Sequence, residues 1–262
     1  MAGAQLLSEQ LPSQTGGPSD EGGALSSVVE AALFELPALD GSAVTHVALP
    51  DVPLPDSPPE VAFVVDATLS ESLCSRLVDV AEARGFDAAL LSEDRPGGGY
   101  PDRSMRSCSM CSIHDKALAD SLWQRLQPVF DSLQWDGLHT SFPRGTSGWR
   151  PCGINDRFRI FRYGQGDYFK PHVDGGLIVS DKEQSFLTVI IYLNGAGEMT
   201  GGGTKFHAMR SAISPSVVRP LAGKMLCFDH QLYHEGEAID TGIKYIMRTD
   251  IVFARDVAEG TK

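Results

Sequence analysis

The sequence predicts a mainly β domain with two supporting helices, whose core is a double-stranded β-helix, the jelly roll found in cupins. Two helical patterns come first, over residues 68–85 and 115–126. From residue 157 onward, roughly eight short apolar or alternating segments follow, separated by Gly and Pro turns. Short strands at such spacing are typical of antiparallel barrels and jelly rolls. We therefore expect the helices to pack on one sheet of a two-sheet core.

Composition limits the classes of partner. The chain of 262 residues is long enough for one sizeable core. Its formal net charge is -12, and the acidic excess lies before residue 150, because residues 151–262 carry equal numbers of basic and acidic side chains. A phosphate backbone requires a basic surface, so nucleic acid is disfavoured as a partner. The chain also lacks an apolar run long enough to cross a bilayer, so we expect no membrane partner.

The first 59 residues differ from the rest of the chain. Residues 1–59 contain no Lys or Arg and many Gly, Ser and Pro residues. We expect this acidic segment to be largely disordered and the folded domain to span 60–262. Neither a secretory signal nor a transit peptide fits a segment without basic residues.

The five cysteines have no regular spacing, and Cys108 and Cys111 lack a second ligand pair for zinc. These features predict a reducing compartment, cytoplasmic or nuclear.

Two helices are predicted before the strands. A short apolar strand at 61–65 leads into Thr68-Leu69-Ser70-Glu71, which has the form of a capping box, and Gly85 is placed to end that helix. The second helix is expected from about Asp115 to Leu126, bent or ended by Pro128. Both helices carry a leucine stripe on one face, so we expect them to support the sheet.

A long loop is predicted between Leu91 and Ile113, where Gly, Pro, Arg and Ser dominate. Long loops in compact enzymes often contact substrate. Tyr100, Arg103 and Arg106 are the side chains that could do so, and solvated loop charges are an equally good interpretation.

The last predicted strand, 244–253, has two different faces. Residues alternate across a strand, so one face carries apolar side chains from Tyr245 to Phe253, and the other carries Lys244, Arg248 and Asp250. The apolar face should pack under the helices, which turns the charged face inward. Buried cations are costly unless an anion pairs with them. We therefore expect a bound anion near Lys244 and Arg248, although Asp250 could instead neutralise Arg248.

A metal site is predicted from three further residues. His172 and Asp174 lie two apart on an extended segment and so point the same way, and His234 follows later in the chain. Two histidines and one carboxylate leave open metal positions for a co-substrate and dioxygen, the arrangement of non-haem iron(II) oxygenases. His230 would pair with His234 on a helix, but the surrounding sequence predicts strand and turn. We therefore interpret His230 as structural.

This ordered set resembles the 2-oxoglutarate- and iron(II)-dependent dioxygenases of the prolyl 4-hydroxylase type. The resemblance covers roughly residues 60 to 255 and is strongest over the core 153–255. It implies that the two histidines and Asp174 bind Fe(2+), that Lys244 binds the distal carboxylate of 2-oxoglutarate, and that the Tyr163 hydroxyl donates to a 2-oxoglutarate carboxylate. Arg248 is the second candidate for the distal carboxylate, because arginine is the better bidentate clamp. It lies four residues further along the strand, at ~3.3 Å each.

The resemblance also implies an activity. Such an enzyme hydroxylates a C–H bond with O2, releases succinate and CO2, and uses L-ascorbate. A prolyl residue in a protein or peptide is the substrate that this resemblance favours. A small-molecule hydroxylase or desaturase acting on an amino acid or secondary metabolite would share the same residues, so it stays open. A non-catalytic ligand-binding cupin is the third possibility, disfavoured by the complete ligand set.

Overall fold

The computed structural model describes residues 33, 36–49, 61–91, 98–133, 135, 148–208 and 214–255. Most of the segment expected to be disordered, 1–59, lies outside these residues. Its described part joins the folded domain: Leu39 is buried, and strand β1 (Val44–His46) pairs antiparallel with β2 (Ala62–Val65). The folded domain therefore begins before residue 60, because apolar side chains of this segment complete the core.

The described residues form two long helices and sixteen strands. A short 3-10 turn, Gly41–Ala43, precedes β1. The remaining elements, in chain order, are α1 (Glu71–Arg84), β3 (Asp87–Ala88), β4 (Arg106–Ser107), β5 (Ser109–His114), α2 (Lys116–Asp131), β6 (Trp149–Ile154), β7 (Arg157–Tyr163), β8 (Tyr168–His172), β9 (Glu183–Tyr192), β10 (Met199–Gly201), β11 (Thr204–Phe206), β12 (Ser216–Val218), β13 (Met225–Asp229), β14 (His234–Gly236), β15 (Ile239–Gly242) and β16 (Lys244–Arg255).

Two antiparallel sheets build the predicted mainly β, jelly-roll core. Within the described residues, the larger sheet runs β1-β2-β13-β9-β16-β7-β5-β3, with β6 also paired to β16, and the smaller runs β12-β11-β14-β8-β4. One apolar cluster joins the larger sheet to α1 and α2, and a second lies between the two sheets. The prediction that the helices pack on one sheet is confirmed.

Each helix differs from the sequence prediction at one end only, because Gly85 ends α1 and Asp115 begins α2 as expected. Helix α1 begins two residues later than the Thr68 capping box implies, because Thr68 donates its hydroxyl to the Val65 carbonyl and Ser70 caps the helix by accepting from the Leu73 N–H. Helix α2 is capped by Asp115 and continues through Pro128 to Asp131. Val129 and Phe130 are fully buried, and their packing offsets the one backbone hydrogen bond that proline lacks.

The loop predicted up to Ile113 is shorter than expected. Strands β4 and β5 occupy 106–114, pairing with β8 and β7 respectively, and residues 92–97 lie outside the described part of the chain. Cys108 and Cys111 contribute to the two different apolar clusters, on opposite faces of the larger sheet. All five cysteines are free thiols.

Strand β16 lies at the centre of the larger sheet, paired with β9, β7 and β6. Its two predicted faces are confirmed: Met247, Ile251 and Phe253 join the cluster under the helices, and Ile246 joins the cluster between the sheets. The charged side chains of β16 therefore point into the space between the sheets. No helix in the described part of the chain is long and apolar enough to cross a membrane, and the compartment stays a prediction.

Candidate metal centre

The three predicted metal ligands meet at one end of the space between the sheets. His172 is the last residue of β8, Asp174 follows two positions later, and His234 opens β14. Strands β8 and β14 pair antiparallel with His172 directly opposite His234. The ligand atoms of the three side chains all lie within 4.8 Å of one another. The sheet register therefore brings together residues that are far apart in the chain.

Both histidines present an unprotonated nitrogen to this centre. His172 Nδ1 lies 2.8 Å from the Lys170 carbonyl oxygen, and His234 Nδ1 lies 2.8 Å from the Leu232 carbonyl oxygen. A carbonyl oxygen only accepts, so each neutral ring carries its hydrogen on Nδ1 and a lone pair on Nε2. The Nε2 atoms of His172 and His234 lie 3.7 and 3.8 Å from the Asp174 carboxylate oxygens. Carbonyl-bound Nδ1 atoms are the usual support of metal-binding imidazoles.

The protonation states also suit a cation. Burial opposes ionisation of Asp174, but the nearby Arg248 guanidinium is the main cause that holds the pKa of Asp174 well below its usual value. Burial lowers the pKa of His234 to about 4, so its ring is neutral near pH 7. Two neutral imidazole nitrogens and one carboxylate are a donor set that fits iron(II).

Aromatic rings fix the orientation of both imidazoles. The His172 ring stacks on Phe169, with ring centroids 3.5 Å apart. The His234 ring meets the Phe228 ring edge to face at 4.6 Å between centroids. Such contacts restrict rotation about the side-chain bonds, so the ligand atoms are held in place before any ion binds.

A cavity extends from the metal ligands and is lined by the other predicted site residues. Lys244 is buried, donates to the Gly202 carbonyl, and makes no ion pair with any described residue. Its Nζ lies 5.5 Å from the Tyr163 ring centroid and 5.7 Å from that of Tyr192. Burial lowers the pKa of Lys244 to about 8, which leaves the ammonium largely protonated at neutral pH. The complete lining is Arg106, Phe161, Tyr163, Phe169, His172, Asp174, Ile190, Thr204, His234, Gly236, Lys244, Ile246 and Arg248.

Arg248 lies beside the metal ligands. One of its guanidinium nitrogens is 3.3 Å from Asp174 Oδ1 and 3.5 Å from Asp250 Oδ1. Asp250 is shared with Arg159, at 3.1 Å. The predicted neutralisation of Arg248 by Asp250 therefore occurs, together with a contact to Asp174. Lys244 and Arg248 occupy different parts of the cavity.

The family comparison agrees with this geometry. Residues 158–249 match the model of the 2OG-Fe(II) oxygenase superfamily, a segment that includes His172, Asp174 and His234. This segment of the chain is therefore similar to the 2OG-Fe(II) oxygenases. No curated protein sequence matches the chain significantly.

Several solved structures are similar to this chain. A prolyl hydroxylase from Trichoplax adhaerens, in complex with a hypoxia-inducible factor peptide fragment, has 15% sequence identity and a TM-score of 0.50, covering 88% of this chain and 90% of its own. A viral collagen prolyl hydroxylase from Paramecium Bursaria Chlorella virus-1 has 19% identity and a TM-score of 0.47, and the match covers 74% of this chain and 96% of the viral chain. A prolyl-4-hydroxylase from Pseudomonas putida has 15% identity and a TM-score of 0.48, and the match covers 76% of this chain and 94% of the bacterial chain.

The candidate metal centre and its cavity also include buried polar residues that the sequence analysis missed. Thr188 donates its hydroxyl to Asp174 Oδ2 at 2.7 Å and contacts His230, and the buried Tyr192 hydroxyl bonds to Thr204 at 2.7 Å. Both Thr188 and Tyr192 carry hydroxyl groups within the apolar stretch 186–192 of β9, which is the signal that could have identified them. Tyr163 is buried too, and burial raises the pKa of its hydroxyl, which therefore stays protonated and able to donate.

The predicted substrate-contacting loop contributes Arg106. Its guanidinium carbon lies 4.0 Å from the Phe161 ring centroid and 4.5 Å from that of Phe169, so the cation is held between two aromatic faces. Arg106 lines the cavity that extends from the metal ligands, and it also lines a neighbouring open cleft. Tyr100, by contrast, is more than half exposed and is absent from both linings.

Proposed function

We propose that this protein is a 2-oxoglutarate-dependent dioxygenase that hydroxylates a prolyl residue in a protein or peptide. The observation that carries this proposal is the convergence of His172, Asp174 and His234 within 4.8 Å at one end of a cavity that also holds the buried Lys244. A metal and an anion would bind there side by side. Prolyl specificity is supported by fold-level likeness to a prolyl hydroxylase, and is the part of the proposal that most needs a test.

The metal would be held by His172 Nε2, His234 Nε2 and the Asp174 carboxylate. Iron(II), when bound, supplies the oxidising chemistry by which 2-oxoglutarate and O2 become succinate and CO2 while a C–H bond is hydroxylated. The Lys170 and Leu232 carbonyls fix the tautomer, so that each ring in its neutral form presents the lone pair of Nε2 to the metal. The protein also keeps the carboxylate ionised, so no proton has to leave the ligands before the cation binds.

The co-substrate would be oriented by the cavity wall. Lys244 provides an ammonium for the distal carboxylate, in surroundings where burial strengthens the attraction between unlike charges. Tyr163, whose ring centroid lies 5.5 Å from the same ammonium, would donate its hydroxyl to that carboxylate. Arg248 remains the second candidate, and its position beside Asp174 would direct it to a carboxylate group close to the metal.

A peptide substrate is favoured by the neighbouring cleft. This cleft has a volume of about 370 Å³, is open on one side, and is lined by segments of 101–103 and 106–109 together with Asp167. Arg106 lines both the cleft and the metal cavity, so a chain bound in the cleft would pass next to the metal. An amino acid or secondary metabolite remains the alternative substrate.

The first experiment is to measure succinate formation from 2-oxoglutarate by the full-length chain with iron(II) and L-ascorbate. We expect turnover that is stimulated by one of a panel of prolyl peptides and lost in His172→Ala. The matched control is His114→Ala, which removes an exposed histidine far from the cavity and should leave turnover unchanged. Omitting ascorbate should shorten the period of turnover, because ascorbate keeps the iron reduced.

The outcomes separate the candidate functions. Stimulation by a free amino acid, and by no peptide, would replace the peptide substrate with a small molecule. Equal succinate formation by wild type and His172→Ala would rule out the proposed metal centre. Failure of the wild-type chain to bind iron(II) at all would favour a non-catalytic ligand-binding cupin.

A further inference from the structure

A chain of buried polar side chains lies behind the proposed metal ligand Asp174. Ser185 and Thr188 are on β9. His230 comes immediately after β13, the strand that pairs with β9. Thr188 Oγ1 lies 2.7 Å from Asp174 Oδ2 and 2.8 Å from His230 Nδ1, and Ser185 Oγ lies 3.0 Å from His230 Nε2. All four residues are buried. A buried polar chain of this kind is retained only when each member is satisfied.

The directions of these hydrogen bonds follow from the number of protons. The Asp174 carboxylate only accepts, so the Thr188 hydroxyl gives its single hydrogen to Oδ2. Thr188 can then only accept from His230, which places the hydrogen of the neutral ring on Nδ1. The lone pair on His230 Nε2 accepts from the Ser185 hydroxyl, and Ser185 Oγ accepts from the Leu177 N–H at 2.7 Å. Every side-chain donor in this chain of residues therefore has an acceptor.

The backbone ties the same residues together. The Asp174 N–H donates to the His230 carbonyl at 2.8 Å, and the His230 N–H donates to the Phe186 carbonyl at 3.0 Å. His230 therefore holds Asp174 by its main chain and, through Thr188, by its side chain. Gly176 makes room for this arrangement, because a Cβ there would lie 3.0 Å from the Ser185 carbonyl oxygen and 3.3 Å from His230 Cδ2.

We propose that His230 and Thr188 are positioning residues that fix the orientation of the Asp174 carboxylate for metal binding. Asp174 Oδ2 is held by Thr188, while Oδ1 faces Arg248 and His172. Without the Thr188 hydroxyl, the carboxylate is free to rotate toward Arg248, and metal binding must restore its orientation. This inference rests on the proposed metal centre. It assigns His230 a role beyond the structural one that its sequence context predicts.

The test measures affinity for Co2+, added alone to the full-length metal-free chain, by titration calorimetry and by the visible absorption spectrum of the bound ion. Thr188→Val removes the hydroxyl and keeps the shape, and we expect about 10–100-fold weaker binding with an altered spectrum. Thr188→Ser keeps the hydroxyl and should restore both. His230→Leu should weaken binding in the same direction. His230→Asn should recover most of the affinity, because its amide nitrogen replaces Nδ1 as the donor to Thr188.

The matched control is Thr249→Val. Thr249 is as buried as Thr188 and donates one hydrogen bond, at 2.7 Å, to the Asn155 carbonyl, but it lies on the opposite face of the larger sheet. Its loss should lower the thermal unfolding temperature while leaving Co2+ affinity unchanged. Wild-type affinity in both folded Thr188→Val and His230→Leu would overturn the proposal, as would equal weakening in Thr249→Val.

A further variant separates this inference from the proposed function. If wild type binds Co2+ and His172→Ala does not, the proposed metal centre is supported. The Thr188 and His230 variants then test the positioning role alone. If wild type binds no Co2+, both ideas fail together. Should His230→Leu not fold, the comparison of Thr188→Val with Thr188→Ser decides the outcome.

Discussion

The two faces of the larger sheet are equally buried but chemically opposite. The face under the helices is apolar, with Phe253 packed against Trp135 and Phe186 at ring-centroid distances of 5.4 and 5.2 Å. The face between the sheets carries Lys244, Arg248 and Asp250 from the same strand. Burial of apolar area stabilises a fold, whereas burial of charge opposes folding unless partners compensate. One face therefore supplies stability, and the other holds charges for a ligand.

The charged face compensates itself at one end only. Near the metal ligands, Arg248 contacts both Asp174 and Asp250, and Arg159 contacts Asp250. At the other end, Lys244 has the Gly202 carbonyl and two aromatic rings but no carboxylate within ion-pair distance among the described residues. Lys244 is therefore the cation for which we propose a bound anion as partner. Three substitutions and one pH titration test this contrast.

The largest effect is expected on the helix face. Phe253→Ala removes a fully buried ring and should lower the free energy of unfolding by about 3–5 kcal/mol, through lost burial and the cavity left behind. Chemical denaturation followed by circular dichroism measures this change. Leu221→Ala, at a largely exposed leucine, should change stability by less than about 0.5 kcal/mol. A small effect of Phe253→Ala would refute the view that this face carries the stability.

The second effect is expected at the metal centre. Asp174→Asn keeps the shape but removes the negative charge, and we expect succinate formation to fall at least about 100-fold, because a neutral amide is a poor ligand for iron(II). The folded state should persist in the metal-free protein. Asp156→Asn, at a half-exposed carboxylate, is the control and should keep full activity. Turnover in Asp174→Asn close to that of wild type would remove Asp174 from the ligand set.

The third effect concerns Lys244. Lys244→Met keeps the length of the side chain, and we expect about 10–100-fold weaker binding of 2-oxoglutarate, because the buried charge pair with the distal carboxylate is lost. Stability without ligand should be unchanged or higher, because an uncompensated buried cation is removed. Calorimetry on the Mn2+-loaded protein under nitrogen measures the affinity, and thermal unfolding measures the stability. If Arg248→Met lost affinity for 2-oxoglutarate and Lys244→Met did not, Arg248 would be the residue that binds the distal carboxylate.

The smallest effect is a pH dependence. Burial lowers the pKa of Lys244 to about 8 from 10.5, so the ammonium loses its proton as pH rises through about 8. Only the protonated form attracts a carboxylate. Affinity for 2-oxoglutarate should therefore be highest below pH 8 and fall about tenfold between pH 7 and pH 9. Lys244→Met should bind weakly and without this pH dependence. A wild-type affinity that is constant over the same range would contradict the assignment.

Local patterns were enough to predict which side chains meet at the candidate metal centre and which strand faces them. His172, Asp174, His234 and Lys244 were identified from spacing and from resemblance, and the alternation along 244–253 predicted which face of β16 meets the helices. These inferences succeed because a strand turns successive side chains to opposite sides whatever its neighbours are. Strand β6 was missed because it contains Pro151 and Gly153, which disfavour a strand unless a partner such as β16 stabilises it.

The support of the metal centre could not be predicted in this way. Thr188 reaches Asp174 across 14 residues, and His230 reaches Thr188 across 42, because β9 and β13 pair in one particular register. Similarly, Lys244 lies beside Tyr163 because β16 pairs with β7 at that position. Residue types and spacing specify which groups can take part in the chemistry. Sheet register and close packing, which depend on the whole chain, determine which of these groups touch.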